Sequence, residues 1–498
     1  MFGRQTIASV RGCTAPASFT ILLVLALTAC GGGSSGGEPG RPPAPQDPPP
    51  APPPAARAPE VDAGADRRLE WPENTAELSG SVTHQNPEAL TYSWRVTAGP
   101  PGVQFATPDR VDTIVTFPRE GTYTIALTAS DGSLSGEDTL QVQVDPALYP
   151  TETWTSATPA EMNMDATLLD QARDYAVNTN AAGGSGMIVR RGRLVYAWGD
   201  IATRYEMKST TKSIGSIALA LAFDDGVLRL EDLAQARLPR LGVPPSTNQA
   251  TGWLERITVE QLATHTAGFA KPDGLDPAND AGPALLFEPG TTWSYSDAGL
   301  NWLADLLTVT FNEDLQTVLD GRVFATLGIT RDDLRWRDNS FREPTLEGIA
   351  RRELASGMEA SIDAMARIGY LFLRKGRWAG EQLIREASIE LLRTPRPSVA
   401  DTRIADPVNF PDATGNHAVL WWTNSNGALA DVPSDAYWAW GLGDSLIVVI
   451  PSLDLVVARA TTQEAVSGPN RSGWTNGWNG DYAWLAPFLT PIAQSVSE

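Results

Sequence analysis

Cysteine is nearly missing from this chain: Cys13 and Cys30 are the only two in 498 residues. That scarcity excludes a disulfide framework and a cysteine-built zinc site. Histidine is almost as scarce. His84, His265 and His417 lie far apart and lack metal-ligand spacing, so no metal or organic cofactor is expected. Basic charge is also in short supply, with 38 Lys+Arg against 59 Asp+Glu and a formal charge of −21. Non-specific nucleic-acid binding needs cations gathered on one face to neutralise phosphate, so a nucleic-acid partner is excluded. Only four of the cations are lysines: Lys208, Lys212, Lys271 and Lys375. What remains, 42% hydrophobic and 19% charged residues, is an ordinary globular composition with room for two or three domains.

Arg4 and Arg11 precede the apolar run FTILLVLALTA, Phe19 to Ala29, which is too short to span a bilayer stably and has the layout of a secretory signal. It ends Leu27-Thr28-Ala29-Cys30, which resembles a bacterial lipobox. The resemblance implies a signal peptide over 1–29 and a lipid anchor on Cys30. Gly31 after the cysteine favours the outer membrane of the cell envelope. Residues 30–59 are Gly/Ser-rich and then Pro-rich, a flexible and then stiff tether that holds a folded body off a membrane.

Over 60–146 short alternating runs such as TAELSGSV, LTYSWRV, DTIVTF, TYTIALTA and DTLQVQV are separated by turn residues. This spacing predicts an antiparallel β-sandwich with Trp94 and Tyr123 in its core. The segment resembles PKD-like immunoglobulin-type domains, which implies a spacer or a binding module, with the spacer expected over the binder. From 150 to 498 the pattern changes. MDATLLDQARDYAVN predicts a helix, MIVRRGRLVYAWG a hairpin at Arg191-Gly192, and SLIVVIPSLDLVVARA a hairpin at Pro451-Ser452. Strands at both ends with helices between predict an α+β body whose ends meet in one antiparallel sheet.

The sharpest local feature is Ser209-Thr-Thr-Lys212 before Ile214, Ile217, Ala218 and Leu221, the spacing of a buried helix ending near Gly226. Ser209 then sits at a helix N-terminus, where unpaired N–H groups favour a developing anion, and Lys212 returns to its face one turn later. A lysine desolvated in this way falls in pKa and can take the serine's proton. No Gly-x-Ser-x-Gly elbow is present, which disfavours an α/β-hydrolase. His265 is expected to fix a turn rather than to act as a triad base.

MKSTTKSIGSIALALAFDDGVLRLED, ITVEQLATHTAGF, FEPGTTWSYSDAGLNWLADLL and DAMARIGYLFLRKGRWAGEQLI occur in that order. They resemble the β-lactamase-related serine hydrolases, the group of class C β-lactamases, DD-peptidases and family VIII esterases. The resemblance implies a β-lactamase/transpeptidase-like domain, an antiparallel sheet flanked by helices plus a helical subdomain. It assigns Ser209 as nucleophile, Lys212 as its proton partner and Tyr295 as general base and acid. Two positions depart from the family. Tyr-x-Asn reads Tyr295-Ser296-Asp297, and an ionised Asp297 would hold Lys212 charged and oppose a phenolate. The cationic third element reads Trp440-Gly441, where Trp438 and Trp440 are expected as an apolar wall and Leu442 beside an oxyanion hole. Asp297, Trp440, Gly441 and Leu442 are therefore the expected substrate-binding residues. Without that cation the favoured substrates are small esters or amides. A cell-wall-derived substrate (a DD-peptidase or β-lactamase) and an inactive envelope ligand-binder are the alternatives.

Overall fold

The computed structural model describes residues 56–71, 73–178, 183–461 and 481–497. The expected signal, Cys30 and most of the tether lie outside the described residues. Among the described residues no helix is long and apolar enough to cross a membrane.

The first body is the expected sandwich. One sheet orders Arg67–Glu70, Ser135–Asp145, Gly121–Ser130 and Thr91–Ala98, and the other Thr75–Ser79, Asp112–Thr116 and Gln104–Phe105. It departs from the antiparallel expectation at one edge, where Arg67–Glu70 runs parallel to Ser135–Asp145. The strands between them supply the long connection that parallel pairing requires. Trp94 and Tyr123 are buried as expected. The Trp94 indole donates to the Arg110 carbonyl at 2.9 Å, and the Tyr123 hydroxyl to the Arg119 carbonyl, four residues upstream, at 2.6 Å. That second bond fixes the strand's entry in the manner of a tyrosine corner.

In the larger body we name α1 (Ala166–Asn178), β1 (Ser185–Arg190), β2 (Arg193–Trp198), α2 (Thr210–Asp224), α3 (Asp297–Phe311), α4 (Ile362–Leu373), β3 (Trp422–Thr423), β4 (Tyr437–Gly441), β5 (Ser445–Ile450), β6 (Leu455–Ala460) and α5 (Ala486–Gln494). The two predicted hairpins lie side by side, giving the order β2-β1-β6-β5-β4-β3, antiparallel throughout. A short segment, Thr155–Ser156, adds in parallel at the outer edge of β2. Strand alternation divides the core. Ala439, Ile447, Val449, Val456 and Ala458 face α2 and α4, whereas Trp438, Trp440, Leu446 and Val448 face α1 and α5.

Helix α2 runs through the interior and is buried on every side. Each fully covered Leu or Ile there contributes about 1.5–3 kcal/mol, but the helix's polar residues must also be satisfied. Thr210 Oγ1 donates to the Ser445 carbonyl at 2.6 Å, Ser213 Oγ to the Leu420 carbonyl at 2.6 Å, and Thr211 Oγ1 accepts from the Met358 amide at 3.0 Å. These bonds fix the helix's depth and rotation. It ends where Gly226 takes φ +68°, with the Val227 amide bonded to the Ala222 carbonyl and the Gly226 amide to the Phe223 carbonyl. This is a glycine-terminated Schellman stop.

Candidate active site

Ser209 occupies the N-cap position of α2, yet its hydroxyl makes no capping bond. It accepts instead from Lys212 Nζ at 2.9 Å. The same ammonium donates to the Ala355 carbonyl at 2.6 Å and lies 2.9 Å from Asp297 Oδ1. The ammonium is thus surrounded by the Ser209 hydroxyl, the Ala355 carbonyl and the Asp297 carboxylate, with the Tyr295 hydroxyl as a further hydrogen-bond partner. This corrects the expectation that desolvation neutralises Lys212. Burial is the strongest single influence and lowers its pKa, but Asp297 and Tyr295 together outweigh it and the net direction is upward.

Asp297 owes its place to the start of α3. Ser296 caps that helix by accepting from the Gly299 amide at 2.9 Å, so Asp297 stands at the first helical position, where the dipole favours a carboxylate. Its backbone amide donates to the Lys271 carbonyl at 2.9 Å, and its Oδ2 lies 3.9 Å from Lys271 Nζ. The ionised reading of the Asn-to-Asp departure therefore has its geometry: the carboxylate is set between two ammonium groups.

Tyr295 lies beside this group, its ring centre 4.9 Å from Lys212 Nζ and 5.9 Å from Lys271 Nζ. Its ring stacks with His265 at 4.5 Å and with Phe410 at 5.3 Å between centroids. Burial raises the phenol's pKa, while Lys212 and a hydrogen bond with Ser209 pull it down; the net is upward. His265 fixes the turn, as expected. Its φ is +62°, its carbonyl accepts from the Ser294 amide at 2.9 Å, and its Nδ1 accepts from the Ser296 amide at 3.1 Å. It thereby clamps Tyr295 from both sides in the chain. Burial keeps the ring neutral, as it does His417, pushed down to about 3, whose ring is 5.0 Å from that of His265.

Gly441 closes the site from the sheet. A Cβ there would lie 2.3 Å from the Met207 carbonyl oxygen and 3.0 Å from the Thr210 amide nitrogen, so only glycine lets β4 meet the turn that carries Ser209. Leu442 follows in the hairpin turn, half-buried. Trp440 requires a correction. Because Gly441 faces α2, its neighbour in the strand points through the opposite face. Trp440 is 1% exposed there, its indole donating to Asp444 Oδ1 at 3.2 Å, and Trp438 is equally buried. Neither indole walls the opening. A cavity of about 260 Å³ adjoins the site instead, lined by Lys271, Asp297, Phe341 and Ala355 among others.

Sequence reasoning missed Lys271, Phe410, Ala355 and Asn301. Asn301 Oδ1 accepts from the Leu354 and Ala355 amides at 2.9 and 3.2 Å and so aims the Ala355 carbonyl at Lys212. One signal for it was available. Asp297, Asn301 and Asp305 recur every fourth residue on a helix whose first three turns are otherwise apolar, a polar stripe that needs partners. Among the described residues no cluster of metal-ligating side chains occurs.

Residues 166–480 match the family model described as Beta-lactamase, and residues 63–144 the one described as K319L-like, PKD domain. The mouse Dyslexia-associated protein KIAA0319-like protein is 33% identical over 75 residues, 15% of this chain and 7% of that protein. The chain thus spans a small fraction of that relative's length. Among solved structures, a Bacteroides dorei protein assigned as a beta-lactamase superposes with TM-score 0.52 at 13% identity, covering 67% of this chain and all of that one. A Bacillus anthracis protein assigned as a 6-aminohexanoate-dimer hydrolase gives TM-score 0.49 at 15% identity, over 70% of this chain and 89% of its own.

Proposed function

The chain belongs to the beta-lactamase family of serine hydrolases, and from that premise we propose that it cleaves small esters or amides through an acyl-enzyme on Ser209. One observation carries this reading: the Ser209 hydroxyl is left uncapped at a helix N-terminus and is held by Lys212, with Tyr295 against the same ammonium. Tyr295, once deprotonated, takes the Ser209 proton as Oγ bonds to the substrate carbonyl carbon. The oxyanion that forms is met by the amides of Ser209 and Leu442, across the contact that Gly441 permits. Tyr295 then returns its proton to the leaving alkoxide or amine. Water, activated the same way, releases the acid. Lys212 stays charged throughout and stabilises the phenolate.

The end of β4 bears neither Lys nor His, which removes the cation that a β-lactam or peptide carboxylate would use. That supports neutral acyl substrates. The sandwich and tether then serve to hold the hydrolase off an envelope membrane to which Cys30 is lipid-linked.

The test is fluorophosphonate labelling of the purified protein with peptide mass spectrometry. The adduct is expected on Ser209, absent in Ser209→Ala and slower by about a thousandfold in Lys212→Met, the upper range for losing one charge-stabilising donor. The same spectra should show a lipidated Cys30 as the first residue. A folded protein that stays unlabelled, or is labelled elsewhere, sinks the nucleophile assignment. An unmodified Cys30 sinks the anchor.

A further inference from the structure

We propose that Lys271 is a positioning residue that offsets the charge of Asp297, so that the site can hold Tyr295 as a phenolate; the inference rests on the acyl-transfer reading above. The placement is built into the backbone. The Asp297 amide donates to the Lys271 carbonyl at 2.9 Å, and Ser296 Oγ donates to the neighbouring Ala270 carbonyl at 2.8 Å. Two of the chain's four lysines therefore converge on one carboxylate in a molecule of formal charge −21.

The charge count shows the consequence. Lys212 and Asp297 alone sum to zero, and a phenolate would leave the site at −1; adding Lys271 restores neutrality. Other groups near Tyr295 do not change the count. His265 and, behind it, His417 are held neutral by burial. Asp273, which shares the adjoining cavity with Lys271, is bound on both oxygens by Arg342. Lys271 is thus the counter-charge for an aspartate standing where the resemblance leads one to expect a neutral asparagine.

The test is the rate of Ser209 phosphonylation against pH in the intact protein and in Lys271→Met, Lys271→Arg, Asp297→Asn and the Lys271→Met/Asp297→Asn double variant. Removing a cation near a phenol raises its pKa, so Lys271→Met should move the rising limb up by about one pH unit. Below the midpoint that is about a tenfold loss. Lys271→Arg should keep the wild-type midpoint. The double variant, back at the same net charge, should return to within about threefold of wild type, which a merely structural lysine would not allow. The Lys271 side chain is 61% exposed, so the fold tolerates its loss. An unmoved midpoint in Lys271→Met, or a double variant no faster than that single one, overturns the proposal while leaving the nucleophile assignment standing. Failure to label wild-type Ser209 overturns both.

Discussion

Two ionic clusters grow from the same two segments of this protein, and only one of them meets a serine. In the first, Lys271 and Lys212 flank Asp297 beside Ser209 and Tyr295. In the second, two residues along one segment and two turns along α3, Arg342 bridges Asp273 and Asp305 at 2.8 and 2.9 Å, and Arg351 reaches Asp305 at 2.8 Å. The Arg342 guanidinium also lies over the Trp302 ring at 4.2 Å. Every member of the second cluster is nearly sealed from solvent, and its arginines cannot give up protons at any working pH. The first uses lysines, keeps Lys271 half in water, and includes two hydroxyls able to exchange a proton. Lys212 lies as close to Asp297 as Arg342 does to Asp305, 2.9 Å in each case, so the distance of the buried pairs does not separate the clusters. Titratable partners and an opening to solvent do.

If the sealed cluster is purely structural, breaking it should cost stability and leave the chemistry alone. The largest effect expected here is from Asp305→Ala, which strands two arginine charges in the interior and should cost about 3–5 kcal/mol in denaturant unfolding. Ser209 labelling of the fraction still folded should keep its rate and its pH midpoint. A shifted midpoint would show that the two clusters act as one. A smaller effect should come from Asn301, which joins them: its Nδ2 donates to Asp273 Oδ2 at 2.8 Å while its Oδ1 holds the Leu354 and Ala355 amides. Asn301→Ala leaves those two amides unpaired, for about 2 kcal/mol in the same assay. It should also slow labelling several-fold, because the Ala355 carbonyl that receives Lys212 is no longer aimed. Lost stability with an unchanged labelling rate would sever the two clusters.

How much of this was legible in the sequence follows from the distances involved. The helix around Ser209 and Lys212 was legible because three residues and one period decide it. The hairpins at Arg191-Gly192 and Pro451-Ser452 were legible for the same reason, as was the family match that carried Tyr295 and Asp297 into the site. Trp440 was misplaced although parity alone would have placed it: once Gly441 is required against the nucleophile turn, its strand neighbour must face away. Lys271, Phe410 and Ala355 could not be read. Each reaches the site across a chain separation that no local pattern encodes, and Lys271 looks like any exposed lysine until its backbone is seen bonded to Asp297. The charge state of Lys212 was also out of reach, because it depends on how burial weighs against two partners at once.

A surface ion pair shows what pairing is worth without burial. Lys375 Nζ lies 2.7 Å from Glu386 Oε1, closer than Lys212 lies to Asp297, but both side chains are more than half exposed. Water already solvates each charge there, so pairing replaces hydration at almost equal free energy and immobilises two long side chains. Lys375→Met should therefore move unfolding stability by less than about 0.5 kcal/mol in either direction, with a Ser209 labelling rate equal to wild type. If instead it costs more than about 1 kcal/mol, distance would rank these ion pairs after all, and the contrast between the sealed cluster, the open one and the surface would have to be rebuilt on geometry rather than on solvent.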